Sequence, residues 1–320
     1  MKEYLITGGT GFIGAAITRS LVTKGYQVRV LDNESRGAIK RLADIKQDFE
    51  FIKGDIRNPK TVEKALRGVD SVIHLAFING TEFFYSKPEQ VLEVGVKGIT
   101  NIIDACVKNN VGDLVVASSS EVYQTPSIVP TPETVPMVIP DPFNPRYSYA
   151  GGKIITELMT INYGRKYFKR VVIFRPHNVY GPDMGWEHVI PQFTLRMKEL
   201  IEKNSNQKVI DFPIQGDGKE TRSFNFIDDF TKGLEIVIEE GEHLNIYHIG
   251  AEDEISIRDL AKKIGQILGK KVNIIPGELQ IGGTPRRCPD ISKLEKLGYQ
   301  PRVSLDEGLK PTVDWYIKNQ

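Results

Sequence analysis

Short apolar runs recur along the first half of the chain: EYLITGG, QVRVLDN, FEFIKGD, SVIHLAF, DLVVASSS and RVVIFRPHNVYGP. Segments of helical period lie among them, FIGAAITRSLVTKG after the first, EQVLEVGVKGITNIIDACVKNN after the fourth and SYAGGKIITELMTINYGRKY before the sixth. Strands that are apolar almost throughout are buried on both faces, and helical connections make them parallel. This pattern predicts an α/β fold with a doubly wound parallel sheet. From about residue 183 the alternation breaks down and Pro and Gly become frequent (GDGKETRSF, PGELQIGGTPRRCP). A smaller C-terminal α/β unit is expected there, with the chain crossing between the two parts more than once.

Composition narrows the partners. The 320 residues carry 42 basic and 41 acidic side chains, with no long block of one sign. That argues against nucleic acid or an anionic membrane as the main partner. No apolar run is long enough for a transmembrane helix, and the N-terminus enters a strand pattern without a signal segment. Cys106 and Cys288, the only cysteines, are expected to be packing residues in a reducing cytoplasm, and neither has metal-ligand spacing.

Three stretches carry chemistry. In TGGTGFIG, Gly8, Gly11 and Gly14 follow a strand and open a helix. Such a triplet permits a tight turn, close approach of backbone amides to a pyrophosphate, and close helix–sheet packing. Asp32 ends the next strand, 18 residues after Gly14. An acid there accepts hydrogen bonds from the ribose hydroxyls of NAD and repels the 2′-phosphate of NADP. Arg36 lies near enough to accommodate that phosphate, so the preference for NAD is open at this point. Asp55, after the third strand, is expected near the adenine. In YSYAGGK, Tyr149 and Lys153 are four apart and share one helix face. An ammonium beside a phenol favours phenolate, and the pair then takes a proton from a hydroxyl while hydride leaves the same carbon. In ASSSEVY, three hydroxyls and Glu121 end a buried strand, at the sheet edge where doubly wound folds bind ligands.

The succession TGGTGFIG, GDI, HLAF, SSSEVY, YAGGK, RPHNVYGP, GDGKETRSF and RRCPDISKLEKLGYQP resembles the extended short-chain dehydrogenases/reductases, the NAD-dependent epimerase/dehydratase family of nucleotide sugars. The resemblance runs from about Lys2 to Trp315. It implies a Rossmann-type NAD-binding domain over 1–178 plus about 220–245, and a nucleotide-sugar-binding domain over about 179–219 and 246–320. It places Phe12, Ile13, Asn33, Ile56, Leu75, Ala76 and Pro176 with Gly8, Gly11, Gly14, Asp32 and Asp55 around NAD. Ser119 matches the residue that binds the sugar 4-hydroxyl. Tyr149 and Lys153 match the catalytic pair, Lys153 also holding the nicotinamide ribose. Ser120 is among the implied substrate-binding residues, Asn178 falls near the sugar diphosphate, and Arg222 and Arg287 match diphosphate- or nucleotide-binding arginines. A homodimer is implied, built on helices at about 88–109 and 148–167, with Ile102, Ile103, Cys106, Leu158, Ile161 and Tyr163 as apolar contacts.

Ser-Ser-Ser-Glu is similar to the Ser-Thr-Ser-Glu of GDP-mannose 4,6-dehydratases and UDP-glucuronate decarboxylases, whereas simple epimerases usually carry a small residue at the Glu121 position. Once C4 is a ketone, the C5 proton is acidic and a carboxylate can remove it. The resemblance therefore implies a lyase, either a 4,6-dehydratase or a uronate decarboxylase. A 4-epimerase with Glu121 incidental is the alternative, and a nonenzymatic NAD(P) sensor a second. Four departures stand out: Gly95 where many relatives have Asn before V-x-G, His177 where Phe is frequent, Glu220 where Gln is frequent, and Gln124 where Gly is usual.

Overall fold

The computed structural model describes residues 2–278 and 283–320. Strands β1 (Glu3–Thr7), β2 (Gln27–Asp32), β3 (Glu50–Lys53), β4 (Ser71–His74), β5 (Asp113–Ala117) and β6 (Arg170–Pro176) are the six runs read from the sequence. They form one sheet in the order β6-β5-β4-β1-β2-β3, every pairing parallel. The order reverses between β1 and β4, which opens a crevice at their carboxyl ends, where doubly wound sheets bind ligands.

Side-chain alternation explains the burial. Tyr4 and Ile6 of β1 pack with Val28, Ile73 and Val115 on one face; Leu5 packs with Val72, Leu114 and Ile173 on the other. The first face is covered by α1 (Phe12–Thr23), the second by α2 (Pro59–Ala65) and α4 (Pro88–Lys108). A short α3 (Thr81–Ser86) precedes α4, and α5 (Ser148–Tyr167) lies along it. Gly25 ends the turn after α1 with φ +84°, open to a residue without a side chain.

Beyond β7 (Val179–Tyr180), α6 (Val189–Lys203) and β8 (Val209–Ile214) belong to the irregular C-terminal half. There β9 (Thr221–Ser223) is followed by β10 (Asn225–Phe226) and by α7 (Ile227–Glu240), which packs on α1. Strand β11 (Asn245–Ile249) is the seventh strand of the main sheet, pairing β6 from Asn245↔Val172 to Ile249↔Pro176. Residues 246–249 belong with the large sheet, because their amides and carbonyls complete its β6 edge. Residues 221–223 pair instead with β12 (Glu254–Ser256) and β14 (Arg286–Arg287) in a separate three-stranded sheet. Between β12 and β14, α8 (Ile257–Ile267) packs on β13 (Lys271–Pro276), which pairs β8. No described helix is long and apolar enough to cross a membrane.

Candidate active site

The crevice is a groove of about 470 Å³ lined from both halves of the chain. Its floor is the β1–α1 turn. Gly8 has φ +74°, and a Cβ there would stand 2.8 Å from the Ala76 amide nitrogen. A Cβ on Gly14 would stand 2.1 Å from the Gly8 carbonyl oxygen. The turn is thus closed to any side chain. Helix α1 is N-capped by Gly11 with no side-chain cap and no acid in its first turn, so its free amides and positive end suit an anionic group.

Asp32, 8% exposed, accepts the Thr10 amide at 3.0 Å on one oxygen and the Glu34 amide at 2.7 Å on the other. Each oxygen keeps acceptor capacity towards the groove. Asp55 accepts from Asn33 Nδ2 at 3.1 Å, and its Arg57 partner, ahead of the opposing cost of burial, holds its carboxyl down to about 2. Arg36, the cation that a 2′-phosphate would need, donates both terminal nitrogens to Glu187 at 3.0 Å and lies 4.5 Å over the Phe83 ring. Gly11, Phe12, Ile13, Ile56, Leu75, Ala76 and Pro176 line the same groove. These residues fit a dinucleotide bound with an unphosphorylated ribose.

At the far end the groove is lined by Ser119, Ser120, Glu121, Tyr149, Lys153, Asn178 and Arg287. Strand β5 stops at Ala117, and Ser119 then caps a short 3-10 turn over Ser120–Tyr123 by accepting the Glu121 amide at 3.1 Å. The turn brings Glu121 back into the groove. Asn178, at φ +40°, donates to the Ser223 carbonyl at 2.8 Å. Strand pairing sets Arg287 of β14 directly beside Arg222 of β9. Arg287 donates to Glu121 Oε1 at 2.8 Å and to Thr284 Oγ1 at 3.1 Å. Burial pushes the Glu121 carboxyl up, but Arg287, Arg146 and Arg222 together outweigh it and hold it below the usual carboxylate range. Burial and the neighbouring Arg287 lower Arg222 to about 10. Three guanidiniums around one carboxylate leave a surplus of positive charge, which suits a further anion.

The Lys153 amine donates to the Ala117 carbonyl at 2.7 Å and lies 5.8 Å from the centre of the Tyr149 ring. Burial pushes the phenol up, with the Ser119 hydroxyl acting against it, and pushes the amine down to about 7 despite the Glu157 carboxylate.

His177 does not reach the groove. It packs edge-on to His248 at 4.7 Å, 1% exposed, and neither ring nitrogen has a partner among the described residues. The sequence reading missed Arg146, three residues before Tyr149, and two rings against Tyr149: Phe84, stacked at 4.8 Å, and Phe77, edge-on at 5.2 Å. The signal for Phe77 was Gly95, noted above only as a departure.

A dinucleotide groove that ends at a buried hydroxyl–phenol–amine–carboxylate group defines a cofactor-dependent enzyme of the doubly wound class. The profile of the NAD dependent epimerase/dehydratase family matches residues 4–250. The chain belongs to that family, and its cofactor is NAD. A UDP-N-acetyl-alpha-D-glucosaminuronate decarboxylase of Bacillus cytotoxicus is 31% identical over 98% of this chain and 98% of its own. Among solved structures, the dTDP-glucose 4,6-dehydratase of Streptomyces venezuelae with NAD bound superposes with a TM-score of 0.86, at 31% identity over 99% of this chain and 97% of that one. A UDP-glucose 4-epimerase of Thermotoga maritima with UDP-glucose also reaches 0.86, at 27% identity and 99% coverage of both chains. The chain spans about half the length, 47%, of the trifunctional Arabidopsis relatives it also matches.

Proposed function

We propose that this chain is a nucleotide-sugar lyase, a 4,6-dehydratase or uronate decarboxylase, whose sugar lies between Ser119, Tyr149 and Glu121. The observation that carries this reading is Glu121 in the same groove as Ser119, Tyr149 and Lys153, joined to Arg287 at 2.8 Å. A relative acting on a uronate and one acting on a hexose both align over nearly the whole chain. Arg222 and Arg287, side by side and repelling each other, are relieved by a diphosphate.

When bound, NAD accepts a hydride from the sugar and later returns it. Tyr149 takes the proton of the C4 hydroxyl, Ser119 orients that hydroxyl, and Lys153 supplies positive charge beside the phenol. With C4 as a ketone, the C5 hydrogen is acidic. In a 4,6-dehydratase, Glu121 takes that proton and passes it to the departing C6 hydroxyl, which leaves as water as the C5–C6 double bond forms. In a uronate the same ketone accepts the electron pair released when the C6 carboxylate departs as carbon dioxide.

The Glu121–Arg287 ion pair favours a second reading as well, because a carboxylate bound to a guanidinium is a weaker base. In a 4-epimerase Glu121 would only hold Arg287 in place. The two are separated by incubating the protein with UDP-, GDP-, dTDP- and CDP-sugars and uronates and weighing the products. Loss of water or carbon dioxide supports the lyase. Unchanged mass with altered retention leaves the epimerase. With the substrate in hand, Tyr149→Phe should abolish turnover. For a dehydratase, Glu121→Gln should slow C5 exchange with deuterated water by about 100-fold.

A further inference from the structure

The three features left unexplained by the site, Gly95, Gly152 and Phe77, meet at one point. Phe77 lies in the loop after β4 and lines the groove. A Cβ on Gly95 of α4 would stand 2.4 Å from Phe77 Cζ, and a Cβ on Gly152 of α5 would stand 2.9 Å from the same atom. The tip of the ring therefore sits in a socket that exists only because both helices carry glycine where they pack together. Any larger residue at 95, including the Asn of many relatives, would expel it.

The socket orients the ring. Lys153 Nζ is 4.1 Å from the Phe77 centroid, and Tyr149 meets the ring edge-on. Lys153 is 3% exposed and makes one hydrogen bond among the described residues, to the Ala117 carbonyl. The other titratable groups near the amine are engaged or distant. Glu157, one turn along α5, is bound by Arg175 and Ser118. His74 of β4 is bound to Thr7 at 2.8 Å, and Tyr149 lies beside the ring. Among the described residues no carboxylate is in salt-bridge contact with the amine.

We infer that Phe77, keyed into the Gly95–Gly152 socket, is a positioning residue for Lys153, its ring face holding the ammonium charged and beside Tyr149. The inference rests on the proposed role of Lys153 in catalysis only for its consequence, not for its test. A cation over a ring in a desolvated site is favoured over the neutral amine. Removing the π face lets the amine lose its proton at lower pH.

The experiment follows the ε-carbon resonance of Lys153 in the purified protein labelled with [ε-13C]lysine, assigned by its disappearance in Lys153→Arg. In Phe77→Leu the titration midpoint of Lys153 should fall by about one pH unit. Site-specific 3,5-difluorophenylalanine at 77, which keeps the shape and weakens the π face, should lower it by a smaller amount. Gly95→Ala, which drives the ring from its socket, should lower it without any change at 77. An unchanged midpoint with the difluorinated ring overturns the proposal, whether or not the leucine variant folds. Failure to find lyase activity leaves these midpoints untouched, so the two readings fail separately.

Discussion

Asp32 has two tasks that one substitution exposes. Its oxygens already satisfy the Thr10 and Glu34 amides, and their remaining lone pairs face the groove. Asp32→Ala should weaken NAD by about 1–3 kcal/mol, relax the discrimination against NADP, and lower stability by leaving two amides without acceptors. Calorimetric titration with NAD and NADP checks this; equal NAD affinity in variant and parent would show that Asp32 does not hold the ribose. Gln124 tells a second residue-scale story. It adopts φ +53°, where glycine is at ease, and is held there by bonds from its amide side chain to the Glu121 carbonyl and from Thr284 to its own carbonyl. Strained backbone of this kind, costing about 1–3 kcal/mol, persists where surrounding contacts fix it, here on the turn that carries Glu121.

Helices α4 and α5 pack against each other more extensively than any other described pair of elements. Their inner faces are settled: Ile102, Ile103 and Cys106 are fully buried against the sheet and cannot be the dimer contacts expected of them. Ile161 is likewise packed against that core. The sequence pattern alone could not choose a side, because the apolar residues of α5 are spread around the helix with almost no preferred face. What faces outward is Leu92 and Val107 of α4 with Ile155, Leu158 and Tyr163 of α5, Leu158 being 49% exposed. If the chain dimerises through these helices, that is the surface it uses. Leu158→Asp should then convert a dimer to a monomer in light scattering at micromolar concentration. A parent protein that is already monomeric would reject the arrangement.

Across the whole molecule, three neutral imidazoles are locked inside. His74, His177 and His248 are at most 3% exposed. Burial lowers His74 and His248 to about 3 and His177 well below 6.5. An unfolded chain binds protons on these rings below about pH 6.5 and the folded one does not. Stability is therefore full above that pH and falls as pH drops below it, by about 1.4 kcal/mol per unit for each histidine. Urea unfolding between pH 7 and pH 5 should show this slope, and His248→Gln should reduce it by about a third; a flat profile would contradict it. The parallel sheet, the glycine turn and the order of the motifs are written in the primary structure, since apolar runs, φ-permissive glycines and i,i+4 spacing act over short stretches of chain. Folding alone brings Arg287 onto Glu121, pairs Arg36 with Glu187, adds Arg146 to the cluster and seats Phe77 in the place opened by Gly95 and Gly152. Each of those joins residues far apart in the chain, and its strength depends on burial and distance, which no local pattern records.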